Sequence, residues 1–550
     1  MESVGTAKLS ISAQMLDADI AKYVTAHLSR DNKLSRLDHA TKRSIEEAVV
    51  QGAQGMFLWV SLVLHDLKKS IGRSSIKATL ELLPTDLNET YERVLSEIKG
   101  DDRHAAVTVL LWLAYANTPL SLQQLAEIST FHPDNPTTDG AVALNNPGHL
   151  ENTLNILAGL VLPENAYGSD QDSQISRLDM FGEIVDEVSD TQLNSRWTEH
   201  TTFRLCHSSL KEYLLSMSIL ASDVKDFYLD PVRAHWSIAQ TCLGYLSHYS
   251  NSSQKTSTEQ DLETFPLLEY AAKAWPQHIK LRDCDDSERE LSLLTSETRM
   301  RDWLLVYDPD QDRTSPFRTE VHDFGSALYH TSLLRLKATA GRLLNAGADV
   351  NAQGGRHGNA LQAASSAGHT EVVQLLLDHR ADVNAQGGEN DNALQAASAG
   401  GHTEVVQLLL DHMADVNVQG GYYGNALNAA ASQGHTFVVQ QLLDNHADVN
   451  GQGPRGTALQ AAASHGHMEI VQLLLDFGAE VDAQGEPHGT ALQAASHEGY
   501  MDVVQLLLNY EADANARGGL HGNALQAASF GGHKKIVQLL LSDGAHRSIF

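Results

Sequence analysis

The sequence predicts a mostly α-helical chain: a helical region in front, then an α-solenoid of stacked helix pairs with β-hairpin tips. Three observations carry this. One phrase, Ala-Leu-Gln-Ala-Ala in its cleanest form, recurs with its leucine at Leu328, Leu361, Leu394, Leu427, Leu459, Leu492 and Leu525. The steps are 33, 33, 33, 32, 33 and 33 residues, and a fixed period in this range marks units that bury their apolar faces only against their neighbours. Each period holds two helical runs, such as Ala360–Ala364 and Glu371–Leu377, parted by a glycine, Gly368. Ahead of Gly325 the apolar residues recur mainly at helical spacing, with only two strand-like runs.

Composition narrows the partners. The 550 residues suffice for several domains, and 42% apolar content is ordinary for folded protein. A formal net charge of −30 argues against nucleic acid or an anionic membrane as the main partner, because phosphates need local positive charge. Cys206, Cys242 and Cys284 are far apart, which fits neither a disulfide framework nor a zinc motif and points to a reducing compartment: cytoplasm, with the nucleus as the alternative. The opening MESVGTAKLS lacks the apolar core of a secretory leader. The most apolar run, Met56–Leu64, stops at His65-Asp66, far short of the roughly 20 residues a membrane span needs.

Residues 1–82 read as helices. Ile20, Tyr23, Val24 and Leu28 share one face, a second helix begins near Asp38, and residues 51–70 form one apolar helix suited to a buried position. Pro84 ends the next helix, and Thr85 or Asp86 caps another with Leu87, Tyr91, Val94, Leu95 and Ile98 on its face. A further helix ends near Asn117, Pro119 marks a turn, and Ser121 caps a helix carrying Leu122, Leu125 and Ile128. Three short helices with a tight turn suit the helix–turn–helix half of a winged-helix module. Leu157–Glu164 and Thr201–Ser209 are the strands of its wing, with an acidic insertion, 165–200, expected to be exposed and partly disordered. A winged-helix-like domain over 83–220, a helical linker domain over 221–307 and a linker over 308–324 complete the region before the repeats at 325–550.

Four phrases, GMFLWVSLVLHDL, LPTDLNETYERVL, LCHSSLKEYLL and FPLLEYAAKAWPQHI, occur in one order ahead of the repeats. Together they resemble the C-terminal part of fungal NACHT–ankyrin proteins, the NLR-like signalling NTPases. Their winged-helix domain, often labelled after GPI inositol-deacylase, corresponds to Leu83–Leu215. The resemblance implies a role in non-self recognition or stress signalling. Those proteins carry a nucleotide-binding module whose phosphate loop needs a Gly-Lys pair, since backbone N–H groups and the lysine wrap the phosphates. The sequence holds no Gly-Lys anywhere, and residues 1–50 resemble only the last helices of that module. No residue therefore inherits the switch, and no cofactor is expected.

Catalytic readings find little footing. There is no G-x-S-x-G elbow and no H-E-x-x-H; His497-Glu498 runs on into Gly499-Tyr500-Met501. His207-Ser208-Ser209 reads better as a strand-to-helix junction, with a serine capping Leu210–Leu215, than as a hydrolytic pair. His369, His402, His435, His467 and His533 each follow a glycine at one phase of the repeat, with Tyr500 in the sixth place. Ligands repeated once per unit lie along a ladder and cannot converge on one metal.

The repeat resembles the ankyrin repeat, with departures. Asn359, or Thr457 and Thr490 elsewhere, caps the first helix; the second buries Val372, Val373, Leu375 and Leu376; Ala381–Asn384 opens a β-hairpin with Gln386-Gly387-Gly388 at its tip. The usual Thr-Pro-Leu-His opening is here Asn/Thr-Ala-Leu-Gln, so Gln362 stands where a histidine would bond across the turn. The glycine expected after the second helix survives as Gly347, Gly478 and Gly544 but is Arg380, Met413, His446 and Glu511 elsewhere. Each replacement in a left-handed position costs about 1 kcal/mol, so the middle of the array is expected to be less stable than its consensus.

Where repeats differ, a partner has something to read. The hairpin tips carry Arg356-His357, Glu389-Asn390, Tyr422-Tyr423, Pro454-Arg455, Glu486-Pro487-His488 and Leu520-His521. A second variable column ends the first helices: Ser366, Gln433, His465, His497-Glu498 and Phe530. Both columns are expected on one concave face. The expected function is a non-catalytic scaffold or sensor that binds a protein partner through Arg356, His357, Glu389, Asn390, Tyr422, Tyr423, Arg455, His488, His521 and Phe530. Two alternatives stay open: the regulatory half of a NACHT switch whose nucleotide module is missing, and nucleic-acid binding through the winged helix. The latter is opposed by Ser121–Ser129, which contains no Lys or Arg. Oligomeric state is left open.

Overall fold

A computed structural model of the chain describes residues 13–54, 56–69, 73–131, 153–154, 157, 159–164, 200–281, 288–310, 317, 324–486 and 489–544. The acidic insertion (apart from His200), most of the 308–324 linker and His488 lie outside the described residues. The chain forms two compact parts, Met1–His248 with Asp261–Arg282, and Tyr249–Gln260 with Asp283–Phe550.

The first part opens with α1 (Ala13–Arg30), α2 (His39–Ala53), α3 (Phe57–Lys69) and α4 (Arg73–Glu81). Asp38 caps α2 by accepting from the Thr41 N–H at 3.1 Å. Ile20, Val24, Ile45, Val49, Trp59, Val63, Leu67 and Ile76 share one core. The single helix expected over 51–70 is two, because Gln54 turns left-handed at φ 47° and ends α2. Packing fixes the break: a Cβ on Gly52 would lie 2.6 Å from the Trp59 ring, so only glycine lets α3 fold back here. Trp59 then donates its indole N–H to the Pro84 carbonyl at 3.1 Å.

Next come α5 (Leu87–Ser96), α6 (Asp101–Tyr115), β1 (Leu120–Ser121), α7 (Leu122–Thr130), β2 (Val161–Glu164), β3 (Thr202–Leu205) and α8 (Ser208–Leu215). Asp86 caps α5, and Ser121 caps α7 in a reciprocal capping box with Gln124. The strands form one antiparallel sheet in the order β1-β3-β2, with Leu120 opposite Phe203 and Val161 opposite Leu205. At the start of α8 the cap is His207, not a serine: its Nδ1 accepts the Ser209 N–H at 3.1 Å. The same nitrogen lies 2.9 Å from Ser209 Oγ, which lies 2.8 Å from the Tyr91 hydroxyl. This His–Ser pair is thus a helix cap anchored to α5. The remaining helices of this part are α9 (Pro231–Asn251), α10 (Asp261–Thr264) and α11 (Leu268–Ile279).

The second part begins with α12 (Glu288–Thr295) and α13 (Glu297–Val306), which cover the open end of the repeat array. Leu291 packs on the array core, Thr339 donates to Glu290 at 2.5 Å, and Trp303 stands edge-on to His330 with centroids 5.8 Å apart. Seven repeats follow, each a helix pair: Ala327–Leu333 with Lys337–Asn345, Ala360–Ser366 with Thr370–Asp378, and so on to Ala524–Phe530 with Lys534–Ser542. One continuous core of leucine, valine and alanine runs from Leu328 to Leu540. The second helix buries Val372, Val373, Leu376 and Leu377, while Leu375 is only partly buried. The hairpins are tight: several tips are closed by single bridges such as Gly420 to Gly424 and Gly518 to Gly522, which enclose only three residues.

Candidate functional site

Each repeat is locked to the next by side chains that the phase of the sequence places but does not explain. Asn359 caps its helix by accepting the Gln362 N–H at 2.9 Å. The Gln362 amide then reaches the following tip and donates to the carbonyls of Ala385, Gly387 and Asp391 at 3.0, 3.2 and 2.8 Å. Gln460 and Gln493 do the same three and four repeats further along, bonding Ala483 and Gly489, then Ala516 and Gly522. The glutamine thus ties each of these repeats to the tip that follows it.

The repeated histidines serve the same stacking. Nε2 of His369, His402, His435, His467 and His533 donates to the carbonyls of Leu333, Ser366, Ala399, Ser432 and His497, each at the first-helix end of the preceding repeat, at 2.9–3.2 Å. Gly368 shows why glycine precedes them: its φ is 70°, and a Cβ there would lie 2.5 Å from the His402 ring. No group of three His, Cys, Asp or Glu side chains among the described residues is placed to hold a metal. Burial pushes the Cys206 thiol up to about 12, which keeps it protonated and inert as a nucleophile.

The tips form a connected strip. Glu389 donates its N–H to the Arg356 carbonyl at 3.0 Å, and Tyr422 donates to the Glu389 carbonyl at 3.2 Å. At the head of this ladder the Arg356 N–H donates to the Asp310 carboxylate at 3.2 Å, so a side chain stands in for the missing previous tip. Asp310 also accepts the Tyr329 hydroxyl at 2.6 Å, and that oxygen accepts the His357 N–H at 3.1 Å. The Arg356 guanidinium pairs with Glu389 at 2.5 Å and bonds the Asp310 carbonyl at 3.2 Å. Hydrogen bonding to Arg356 holds the Glu389 carboxyl below its ordinary range. Asn390 is half-buried beneath the next tip.

The middle and end of the strip are built differently. Tyr422 is 49% exposed and meets Tyr423 edge-to-face at 4.9 Å. The Arg455 guanidinium lies over the Tyr422 ring at 4.6 Å and hydrogen-bonds its hydroxyl. Gln433, at the end of a first helix, donates to the Tyr423 hydroxyl at 2.9 Å, so the tip column and the helix-end column meet. They meet again where His521 stacks on His497 at 4.5 Å and lies 4.6 Å from Phe530, which is 75% exposed. Burial, then the neighbouring His497, lowers the His521 pKa. The structure thus brings Tyr422 with Tyr423 and Arg455, and His521 with Phe530, while Arg356, His357 and Glu389 form a third group tied to Asp310. Asp310 and Tyr329 had no motif to mark them.

The family model for ankyrin repeats matches residues 334–420, 427–518 and 484–549. The chain carries a C-terminal region of ankyrin repeats. It is 32% identical over 351 residues to the "Azaphilone pigments biosynthesis cluster protein L" of Monascus ruber, covering 60% of this chain and 67% of that protein. Among solved structures, the human ASB11 ankyrin repeat domain matches with 25% identity and a TM-score of 0.37, covering 40% of this chain and all of that one. An ankyrin array is a non-catalytic fold used as a protein-interaction scaffold. No helix among the described residues is long and apolar enough to cross a membrane.

Proposed function

We propose that this protein is a cytoplasmic scaffold or sensor that recognises a partner protein chiefly through Tyr422, Tyr423 and Arg455, with His521 and Phe530 as a second contact on the same concave strip. The observation that carries this is the exposed Tyr422–Arg455 stack at a point where the tip and helix-end columns meet. Tyrosine and arginine held rigid on a surface are the residue types that dominate binding energy at interfaces. Arg356, His357, Glu389 and Asn390 extend the strip but are engaged within the chain, and we give them a supporting role. His488 belongs to the same column by sequence.

Residues 83–220 act in this reading as a winged-helix-like adaptor within NLR-like signalling, supported by the β1-β3-β2 sheet beside capped α7 and by the four ordered phrases. The test is a paired pull-down from lysate of the source organism with the full chain and its Tyr422→Ala/Tyr423→Ala variant. Loss of specific partners is expected; an unchanged set of partners sinks the assignment. A second reading follows the name of the Monascus ruber relative: a scaffold serving a biosynthetic gene cluster. It predicts that the captured partners are biosynthetic enzymes rather than signalling proteins.

A further inference from the structure

The ladder of N–H bonds that joins the first three tips ends at Tyr422 and, among the described residues, does not resume at the later tips. Arg356, Glu389 and Tyr422 each donate to the element before them. The aligned residue of the next tip, in Gly453-Pro454-Arg455-Gly456, is Pro454, which has no N–H to give. Among the described residues nothing donates to the Tyr422 carbonyl, and Tyr422 is exposed. The interruption falls where the strip also presents an unneutralised cation. Of the two tip arginines, Arg356 is paired with Glu389, whereas Arg455 has a tyrosine ring and hydroxyl as its partners and no carboxylate within 4.0 Å among the described residues. Tyr423 adds a second ring, held at its hydroxyl by Gln433. A carbonyl without a donor, a guanidinium without an anion and a rigid aromatic pair therefore lie together.

We propose that this break receives an extended segment of the partner protein carrying an acidic side chain next to an apolar one. A peptide N–H of the segment bonds the Tyr422 carbonyl, continuing the ladder that Pro454 interrupts, as an added strand does at a sheet edge. The carboxylate pairs with Arg455, whose planar fork suits it and is already oriented by the Tyr422 ring. The apolar neighbour covers the Tyr422–Tyr423 pair. The chain's net charge of −30 disfavours a long polyanion, so a nucleic acid is a poor match while a single acid flanked by uncharged residues is a good one. This inference rests on the reading of the array as a protein-binding surface and adds the chemistry of what it binds.

The test uses fluorescence polarisation with the full chain and three pools of nine-residue, blocked, fluorescent peptides. Each pool has a fixed central pair, Glu-Leu, Gln-Leu or Lys-Leu, among degenerate uncharged residues. The Glu pool is expected to bind about fivefold tighter than the Gln pool, the upper range for an exposed ion pair. Arg455→Glu should invert the order so that the Lys pool binds best. Pro454→Ala restores an N–H and should weaken binding of the Glu pool. Thermal melts establish that both variants are folded. Equal binding of all pools, binding of none, an order unmoved by Arg455→Glu, or tighter binding of a nine-nucleotide single strand than of the Glu pool would each overturn the proposal. If Tyr422→Ala/Tyr423→Ala still abolishes partner capture in that event, the protein-binding role stands and only the acidic-segment chemistry falls.

Discussion

The Arg356 tip and the Tyr422 tip follow one pattern, Gly-X-X-Gly, yet the chain treats them in opposite ways. At the first, most charged and polar groups are answered from within: Asp310 receives the Tyr329 hydroxyl and the Arg356 N–H, and Glu389 receives the guanidinium, while the buried His357 Nδ1 has no hydrogen-bond partner among the described residues. At the second, the rings and the guanidinium answer each other, and no carboxylate pairs with Arg455 among the described residues. Variation between repeats therefore has two meanings. At the end of a solenoid it seals a surface that has no further neighbour. In the middle, where stacking is already assured on both sides, it is free to serve recognition.

Acid should separate the two regions most strongly. Burial lowers the His330 pKa to about 4, from an ordinary value of 6.5, between Trp303 and Tyr329, and lowers that of His357 as well. A histidine whose folded pKa is depressed leaves stability intact above the unfolded value; stability is lost as pH falls from about 6.5 towards the folded pKa, because only the unfolded chain takes up the proton. For His330 that window spans about 6.5 to 4 and is worth on the order of 3 kcal/mol by its lower end. Hydrogen-exchange protection, corrected for the intrinsic rate, should fall first in Ala327–Leu333 and hold in Ala426–Gln433. His330→Ala should remove that difference. Equal loss in both helices would show that the sealed end has no acid sensitivity of its own.

Single substitutions sharpen the contrast at neutral pH. The Asp310 carboxylate is 8% exposed and holds two donors, so Asp310→Ala should cost about 2 kcal/mol by stranding the Tyr329 hydroxyl and the Arg356 N–H. Arg455→Ala should stay within about 0.5 kcal/mol, as exposed positions generally do. Denaturant unfolding of the two variants, side by side, measures both. A costly Arg455→Ala would mean that the Tyr422 stack is structural and not held in reserve for a partner.

What could be read from sequence divides along the same physical line. Caps, the period and the left-handed positions depend on residues within a few places of each other, and Asn359, Ser121 and Gly368 all fill the places expected of them. Contacts between distant residues were not legible. Asp310 stands 46 residues from Arg356 in a stretch that reads only as linker. The glutamine at Gln362 looks like a lost histidine until its amide is seen spanning to the next tip. The break at Gln54 depends on Trp59 folding back onto Gly52, which no local propensity announces. On the strip, sequence marks which positions vary but not whether the chain itself satisfies them, and that distinction separates Arg356 from Arg455.

The smallest effect with a clear sign concerns the backbone on either side of the open tip. Arg380, Met413, His446 and Glu511 adopt φ between 62° and 67°, where Gly347, Gly478 and Gly544 stand in other repeats. Met413 is the cleanest case. Its side chain is 82% exposed, so its removal gives up little burial, and its carbonyl keeps the bond from the Asn384 amide at 3.3 Å. Met413→Gly should stabilise the array by up to about 1 kcal/mol, offset in part by the freedom glycine gains in the unfolded chain. The same exchange reversed, Gly478→Met, should destabilise by a similar amount. If Met413→Gly instead lowers the unfolding midpoint, the left-handed residues of the middle repeats are not a source of strain, and the lower stability expected there must be given up.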